Sequence, residues 1–173
     1  MTPIHKWPRR DIAALLIVAF LLSLEGAAMA SHYSDPSEWR DQVEMVRWFH
    51  GGDAALRKGQ CGYIYDIKSG YIIRVKRKGG HYHMDLEPAD RHSAKLMKKL
   101  GRSWRARPAI LYADGRFIAC SINTKPHGKQ SVKRNGFRGH FCLHMVGSRT
   151  HGLKRVRRDH QRAIKKAYRW AHR

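Results

Sequence analysis

The sequence predicts an α+β domain: a mixed, mostly antiparallel sheet in a β-sandwich-like core, with one inserted helix and a C-terminal helix. Three observations predict it. Segments such as "HYHMDLEP" and "GHFCLHM" alternate polar and apolar residues with period two. Compact turn signals such as Asp114-Gly115 separate strand-like runs. Two further stretches carry apolar residues at helical spacing.

The N-terminal thirty residues read as an export signal. Lys6, Arg9 and Arg10 form a basic start, an unbroken apolar run follows from Ile12 to Leu24, and "AMA" at Ala28 to Ala30 supplies a cleavage site. The run is shorter than the roughly 20 residues a membrane-spanning helix needs, so contact with a membrane is expected only through this segment. Residues 31–55 read as an N-terminal helical arm. "PSEWRDQVEMVRWFH" places Trp39, Val43, Val46 and Trp48 or Phe49 at helical spacing, Asp35 is a plausible N-cap, and Gly51-Gly52 ends the run.

Residues 56–173 are then a single domain. "CGYIYDIKSGYIIRVKRKGG" is a hairpin with strands at Tyr63 to Ile67 and Tyr71 to Lys76, turning at Lys68-Ser69-Gly70. In "HYHMDLEP", His81, His83, Asp85 and Glu87 share one face and Tyr82, Met84 and Leu86 the other. The inserted helix starts at Pro88 and stops before Gly101. A second hairpin turns at Asp114-Gly115, and a long loop rich in Gly, Asn and basic residues leads to "GHFCLHM". A basic helix closes the chain, with Ile164, Ala167, Tyr168 and Ala171 on one face and Arg157, Arg158, Arg162, Lys165 and Lys166 expected on an anion-facing surface.

The formal net charge is +22, which favours polyanionic partners. The chain lacks the aromatic and glycine motifs of an RNA-binding sheet and any zinc-finger spacing. No specific nucleic-acid partner is therefore expected. For an exported domain, peptidoglycan or another anionic envelope polymer is the expected partner. Of the three cysteines, Cys61 and Cys120 lie in strand-like segments and are the expected disulfide pair, leaving Cys142 free.

The chemistry concentrates around Cys142. On an extended "GHFCLHM", Phe141, Leu143 and Met145 turn to the core, while His140, Cys142 and His144 share the other face. Imidazolium charge beside a thiol favours the thiolate, which is the nucleophile. His127, 15 residues upstream at the end of a strand, is placed for the loop to return it against Cys142.

These residues resemble a known family. His127-Gly128, a glycine-bearing loop and then His140, Cys142 and Leu143 are similar to the signature of YkuD-type L,D-transpeptidases. That signature is His-Gly, a spacer, then Ser-His-Gly-Cys, a hydrophobic residue and usually Arg. Gly139, Phe141 and His144 stand where the family has Ser, Gly and Arg. The resemblance implies that Cys142 is acylated by a peptidoglycan stem peptide, that His127 is its base, and that His140 orients the site. A broader pattern from Gly62 to Ala167 resembles an uncharacterised group of bacterial exported domains found beside peptidoglycan-binding modules.

His83 and Asp85 are candidates to orient the Cys-His pair. Ser148, Arg149 and His151 in "SRTHG" are candidates for substrate binding. Two other readings stay open. One is a zinc-dependent cell-wall hydrolase with His83, Asp85, His140 and His144 as ligands and Glu87 as a possible base. The other is a non-enzymatic domain that binds an envelope polymer or another polyanion. The thiol enzyme itself needs no cofactor.

Overall fold

A computed structural model describes residues 35–173, so the export signal lies outside the described residues. Asp35–Trp39 is the described part of one compact unit, and Arg40–Arg173 forms the other. In the first, Pro36–Glu38 makes a single 3-10 turn, with the Asp35 carboxylate accepting from the Ser37 amide at 2.9 Å.

The larger unit is α+β. Its six strands are β1 (Cys61–Asp66), β2 (Ile72–Gly79), β3 (Met84–Pro88), β4 (Arg107–Ala113), β5 (Arg116–Ile122) and β6 (Phe141–His144). They form a closed barrel in the order β1-β2-β3-β6-β5-β4, with every ladder antiparallel. The sandwich-like core expected from sequence is corrected to a barrel. The closing seam pairs β1 with β4, from Tyr63↔Tyr112 to Asp66↔Ala109, and closure leaves no sheet edge unpaired. Buried Asp66 accepts a bidentate pair from Arg107 and a 2.6 Å bond from the Ser69 hydroxyl, joining this seam to the β1–β2 turn.

The barrel interior is filled by Ile64, Ile73, Val75, Met84, Leu86, Leu111, Ile118, Phe141 and Leu143, among others. Helix α1 (Arg91–Lys99) packs on β2 and β3. Its N-cap is Asp90, whose carboxylate accepts from the Ser93 amide at 2.7 Å. The helix therefore starts later than Pro88, which is the last residue of β3. Helix α2 (Arg158–Ala171) covers β4 and β5 from outside, through Ala163, Ile164 and Ala167. Among the described residues no helix is long and apolar enough to cross a membrane.

The expected helix over Pro36 to His50 is absent. Past the first unit the chain makes a 3-10 turn at Arg40–Gln42 and then runs beside the barrel, with parallel bridges Glu44↔Ile118 and Arg47↔Val146. Val43 and Val46 are three apart and Val46 and Trp48 two apart, so the apolar pattern suits an extended edge as well as a helix. Backbone bonds to the barrel decide it: the Glu44 amide donates to Phe117 O at 2.9 Å and the Trp48 amide to Val146 O at 2.8 Å. Val46, Trp48 and Ala55 join the domain core.

The expected disulfide is also absent. Cys61 is exposed on β1, whereas Cys120 is fully buried in the core on β5, with β4 between the two strands. The two side chains point to opposite faces of the barrel wall, so no disulfide geometry is reachable.

Candidate active site

Strand β6 lies between β3 and β5, and this placement builds the site. Phe141 and Leu143 point into the barrel, so Cys142 and His144 point outward. On β3, Met84 and Leu86 point inward and Asp85 outward, and Asp85 pairs directly across from Cys142. The expected division of faces is what the strands show. The outer face is nevertheless buried, because the loops after β5 and β6 and the start of α2 roof it.

The loop after β5 returns to β6 through a two-residue clasp. His127 and His140 exchange both backbone hydrogen bonds, at 2.9 and 2.8 Å. Two glycines permit it. Gly128 has φ +62°, and a Cβ there would lie 2.4 Å from His140 Cε1. Gly139 has φ +86°, and its Cβ would lie 2.5 Å from His127 O. No other residue type fits either position without moving the clasp. Phe141, where the resembled family has glycine, is accommodated because its ring enters the core.

The clasp carries His127 Nε2 to 3.2 Å from Cys142 Sγ. A backbone carbonyl only accepts, so the contact of His127 Nδ1 with Lys125 O at 2.9 Å places the proton on Nδ1. Nε2 is thereby turned to the sulfur. His83 is held likewise, Nδ1 donating to Arg149 O at 2.7 Å, with Nε2 3.4 Å from Asp85 Oδ1. His140 Nδ1 donates to Lys129 O at 3.2 Å. The Nε2 atoms of His140 and His151 each lie 3.7 Å from Asp85 Oδ1. Asp85 is thus the single carboxylate among three imidazoles.

Charge follows from these contacts. Burial disfavours the Cys142 thiolate, but proximity to His127 and His83 and their positive charge outweigh it and bring the pKa down to about 7. Contact with Cys142 raises the pKa of His127, against the opposing effect of burial. Burial also opposes protonation of His83, yet Asp85 and Cys142 push its pKa up to about 10. Asp85 is held below the usual carboxylate range because its histidine neighbours outweigh burial. Burial lowers His140 in spite of Asp85, and lowers His151 with help from the charge on His83.

A column of rings continues from the site into the protein. His151 packs on His83 with centroids 4.3 Å apart, His83 stacks on His144 at 4.5 Å, and His144 stacks on His160 at 3.8 Å. Ser121 Oγ fixes His160 Nδ1 at 2.9 Å. Burial keeps His144 neutral and depresses His160 to about 4. The reference pKa is 6.5, so between pH 6.5 and 4 the unfolded chain binds more protons at His160 than the folded chain. That contribution to stability is intact above pH 6.5 and lost as the pH falls towards 4, roughly 3 kcal/mol for His160 alone. Urea midpoints measured at pH 7.5 and 4.5 should differ accordingly, and His160→Asn should flatten the difference.

The site opens into a cavity of about 280 Å³ lined by Trp104, Asn123, His127, Cys142, Arg157 and His160, among others. Trp104 packs on His127 with ring centroids 4.8 Å apart. Asn123 clasps the Cys142 backbone: its backbone amide donates to Cys142 O at 3.1 Å, and its Oδ1 accepts from the Cys142 amide at 3.4 Å.

The structure thus gathers Cys142, His127, Gly128, His140, His83, Asp85, His144 and His151 in one place. Three sequence candidates act elsewhere. Ser148 is fully buried, and its hydroxyl accepts from the Met145 amide at 2.9 Å to close a turn. The Arg149 guanidinium lies over the Phe49 ring at 5.3 Å, and only the Arg149 carbonyl serves the site, through His83. The Glu87 carboxylate accepts from the Ser131 amide and hydroxyl and the Val132 amide, so it anchors the long loop rather than acting as a base.

The proposed zinc set of His83, Asp85, His140 and His144 is not one cluster. The donors group instead as His83, Cys142 and His144, and as His83, Asp85 and His151. Sequence reasoning missed Trp104, Asn123, Arg157 and His160. Only Asn123 had a readable signal, as the polar residue ending an apolar strand just before the His-Gly loop.

Fold and site together define an antiparallel α+β barrel with a buried cysteine paired with a half-buried histidine on its outer wall. No family model, curated protein or solved structure matches this chain.

Proposed function

We propose that the chain is an exported cysteine-dependent acyltransferase acting on the peptide stems of peptidoglycan or a related anionic envelope polymer. One observation carries the reaction: Cys142 Sγ sits 3.2 Å from a His127 Nε2 whose tautomer is set by Lys125 O, at the wall of an open cavity. The Cys142 thiolate attacks an acyl carbonyl and forms a thioester as the amine leaves. His127 holds the proton taken from the thiol and returns it to that amine. An amine or water then accepts the acyl group, giving cross-linking or hydrolysis. Support for the substrate comes from the net charge of +22, the Arg157 and Trp104 lining of the cavity, and the likeness of the motif to L,D-transpeptidases.

Thiol labelling tests this in a Cys61→Ser background, which removes the exposed thiol; Cys120 is buried and its pKa is pushed up by desolvation. In chelator-treated protein, iodoacetamide should alkylate Cys142 with a rate that rises through about pH 7. Incubation with a stem peptide should add an acyl mass at Cys142. Full activity in Cys142→Ser would overturn the proposal.

A further inference from the structure

We infer that the same cleft is a zinc site, formed by His83 Nε2, Cys142 Sγ and His144 Nδ1, whose occupation masks the nucleophile. The masking rests on the function proposed above; the metal site itself does not. One ring nitrogen of His83, the Cys142 sulfur and one ring nitrogen of His144 lie within 4.8 Å of one another. Their residues are only 2, 5 and 3 % exposed. His144 Nδ1 has no hydrogen-bond partner, and His83 Nε2 has no closer polar partner than Asp85 Oδ1 at 3.4 Å. A buried polar atom without a partner costs about 1–3 kcal/mol, and such an atom on a ring grouped with a buried thiol calls for an explanation.

The surroundings already hold these rings as ligands are held. His83 donates its Nδ1 proton to Arg149 O at 2.7 Å, which leaves Nε2 to face the centre. A bond of this kind to a backbone carbonyl is the usual outer partner of a ligating histidine. His144 is clamped between His83 and His160, and His160 is fixed in turn by Ser121. Little reorganisation is needed to bind an ion.

The donor set points to zinc. Two imidazoles and one thiolate are borderline-to-soft ligands, unsuited to magnesium or calcium. Three protein ligands leave a fourth position open to the cavity, as in tetrahedral zinc sites that keep a water. Binding releases the thiol proton and the Nε2 proton of His83, and forms Zn–S and Zn–N bonds with no change of oxidation state. The sulfur lone pair needed for acylation is then engaged by the metal, so zinc and the acyl group exclude each other. His127 is outside the ligand set and is the means of separating the two roles.

The test uses purified Cys61→Ser protein freed of metal with chelator, then titrated with Zn²⁺ alone or with Co²⁺ as a spectroscopic stand-in. A single equivalent of Zn²⁺ should abolish iodoacetamide labelling of Cys142, and chelator should restore it. Co²⁺ should give a thiolate-to-cobalt absorption band. The band should persist in His127→Ala and vanish in Cys142→Ser. His144→Gln should weaken zinc binding by more than the roughly 10- to 100-fold seen when only an outer-shell partner is lost. A thermal melt in chelator shows whether His144→Gln is folded, and the near-isosteric Cys142→Ser makes the same test at the thiol.

Absence of the cobalt band, or zinc that leaves labelling unchanged, would overturn the site. Zinc that accelerates acyl transfer would overturn the masking. A cobalt band in a metal-free protein that no acyl donor modifies would leave the metal site standing and remove the acyltransferase reading alone.

Discussion

His127→Ala should slow acylation of Cys142 by roughly 100- to 10,000-fold, the range that a positioned acid–base group contributes. His127 approaches the sulfur closely and has its second nitrogen tied to Lys125 O. It can therefore take the thiol proton and return it to the leaving amine without reorienting. Removing it also deletes one of the two positive neighbours that stabilise the thiolate, so the labelling midpoint near pH 7 should rise. His83 remains, and the shift should be partial. Single-turnover acylation followed by intact mass would report the rate, and labelling across pH the thiolate. Added imidazole should restore part of the acylation rate. An unaltered rate in a folded His127→Ala protein would remove His127 from the reaction.

Gly139→Ala should cost about 100-fold in the same assay, although Gly139 touches no reacting atom. A Cβ on its φ +86° backbone would meet His127 O at 2.5 Å, where the 2.8 Å bond from the His140 amide now ends. The clasp must open, which displaces His127 relative to Cys142. A misplacement of about 1 Å is enough for a loss of about 100-fold. Gly147→Ala is the matched control. Its φ is +75°, with nothing within 4 Å of the added Cβ. It carries a similar left-handed backbone cost of about 1–2 kcal/mol without touching the clasp. Both variants should lower the urea midpoint, but only Gly139→Ala should lose acylation. Equal losses in the two would show that general destabilisation, not His127 placement, sets the rate.

The two donor groups that could hold a metal share His83, and Cys142 belongs to one of them. This gives His144 a part that the likeness to transpeptidases does not supply. It stands where that family has arginine, yet it is buried, kept neutral by desolvation and stacked between two other imidazoles. It is therefore a poor anchor for a substrate carboxylate. Arg157 lines the same cavity and pairs with Asp159 at 2.6 Å.

What the sequence determined by itself was local. The alternation in "GHFCLHM" put Phe141 and Leu143 on one face and Cys142 and His144 on the other, because a strand's side chains alternate whatever surrounds it. Asp114 and Gly115 marked the β4–β5 hairpin, and both adopt the positive φ that such a turn requires. The spacing of His127 and Cys142 left room for a loop that returns on itself.

Tertiary structure decided everything that depends on distant segments meeting. Closure of the barrel rests on β1 pairing with β4, some forty residues apart from Asp66 to Ala109; neither strand's pattern encodes that partner, so the core read as a sandwich. The apolar spacing of Val43, Val46 and Trp48 served two backbones equally, and hydrogen bonds to Phe117 and Val146 chose the extended one. His160, which the sequence reading did not single out in the basic terminal helix, became a wall of the site, because α2 lays its first turn over Ser121 and His144. Cys61 and Cys120 read as a pair, yet the barrel wall separates their faces. Periodicity is a property of the backbone and survives in one dimension; convergence of side chains is a property of topology and does not.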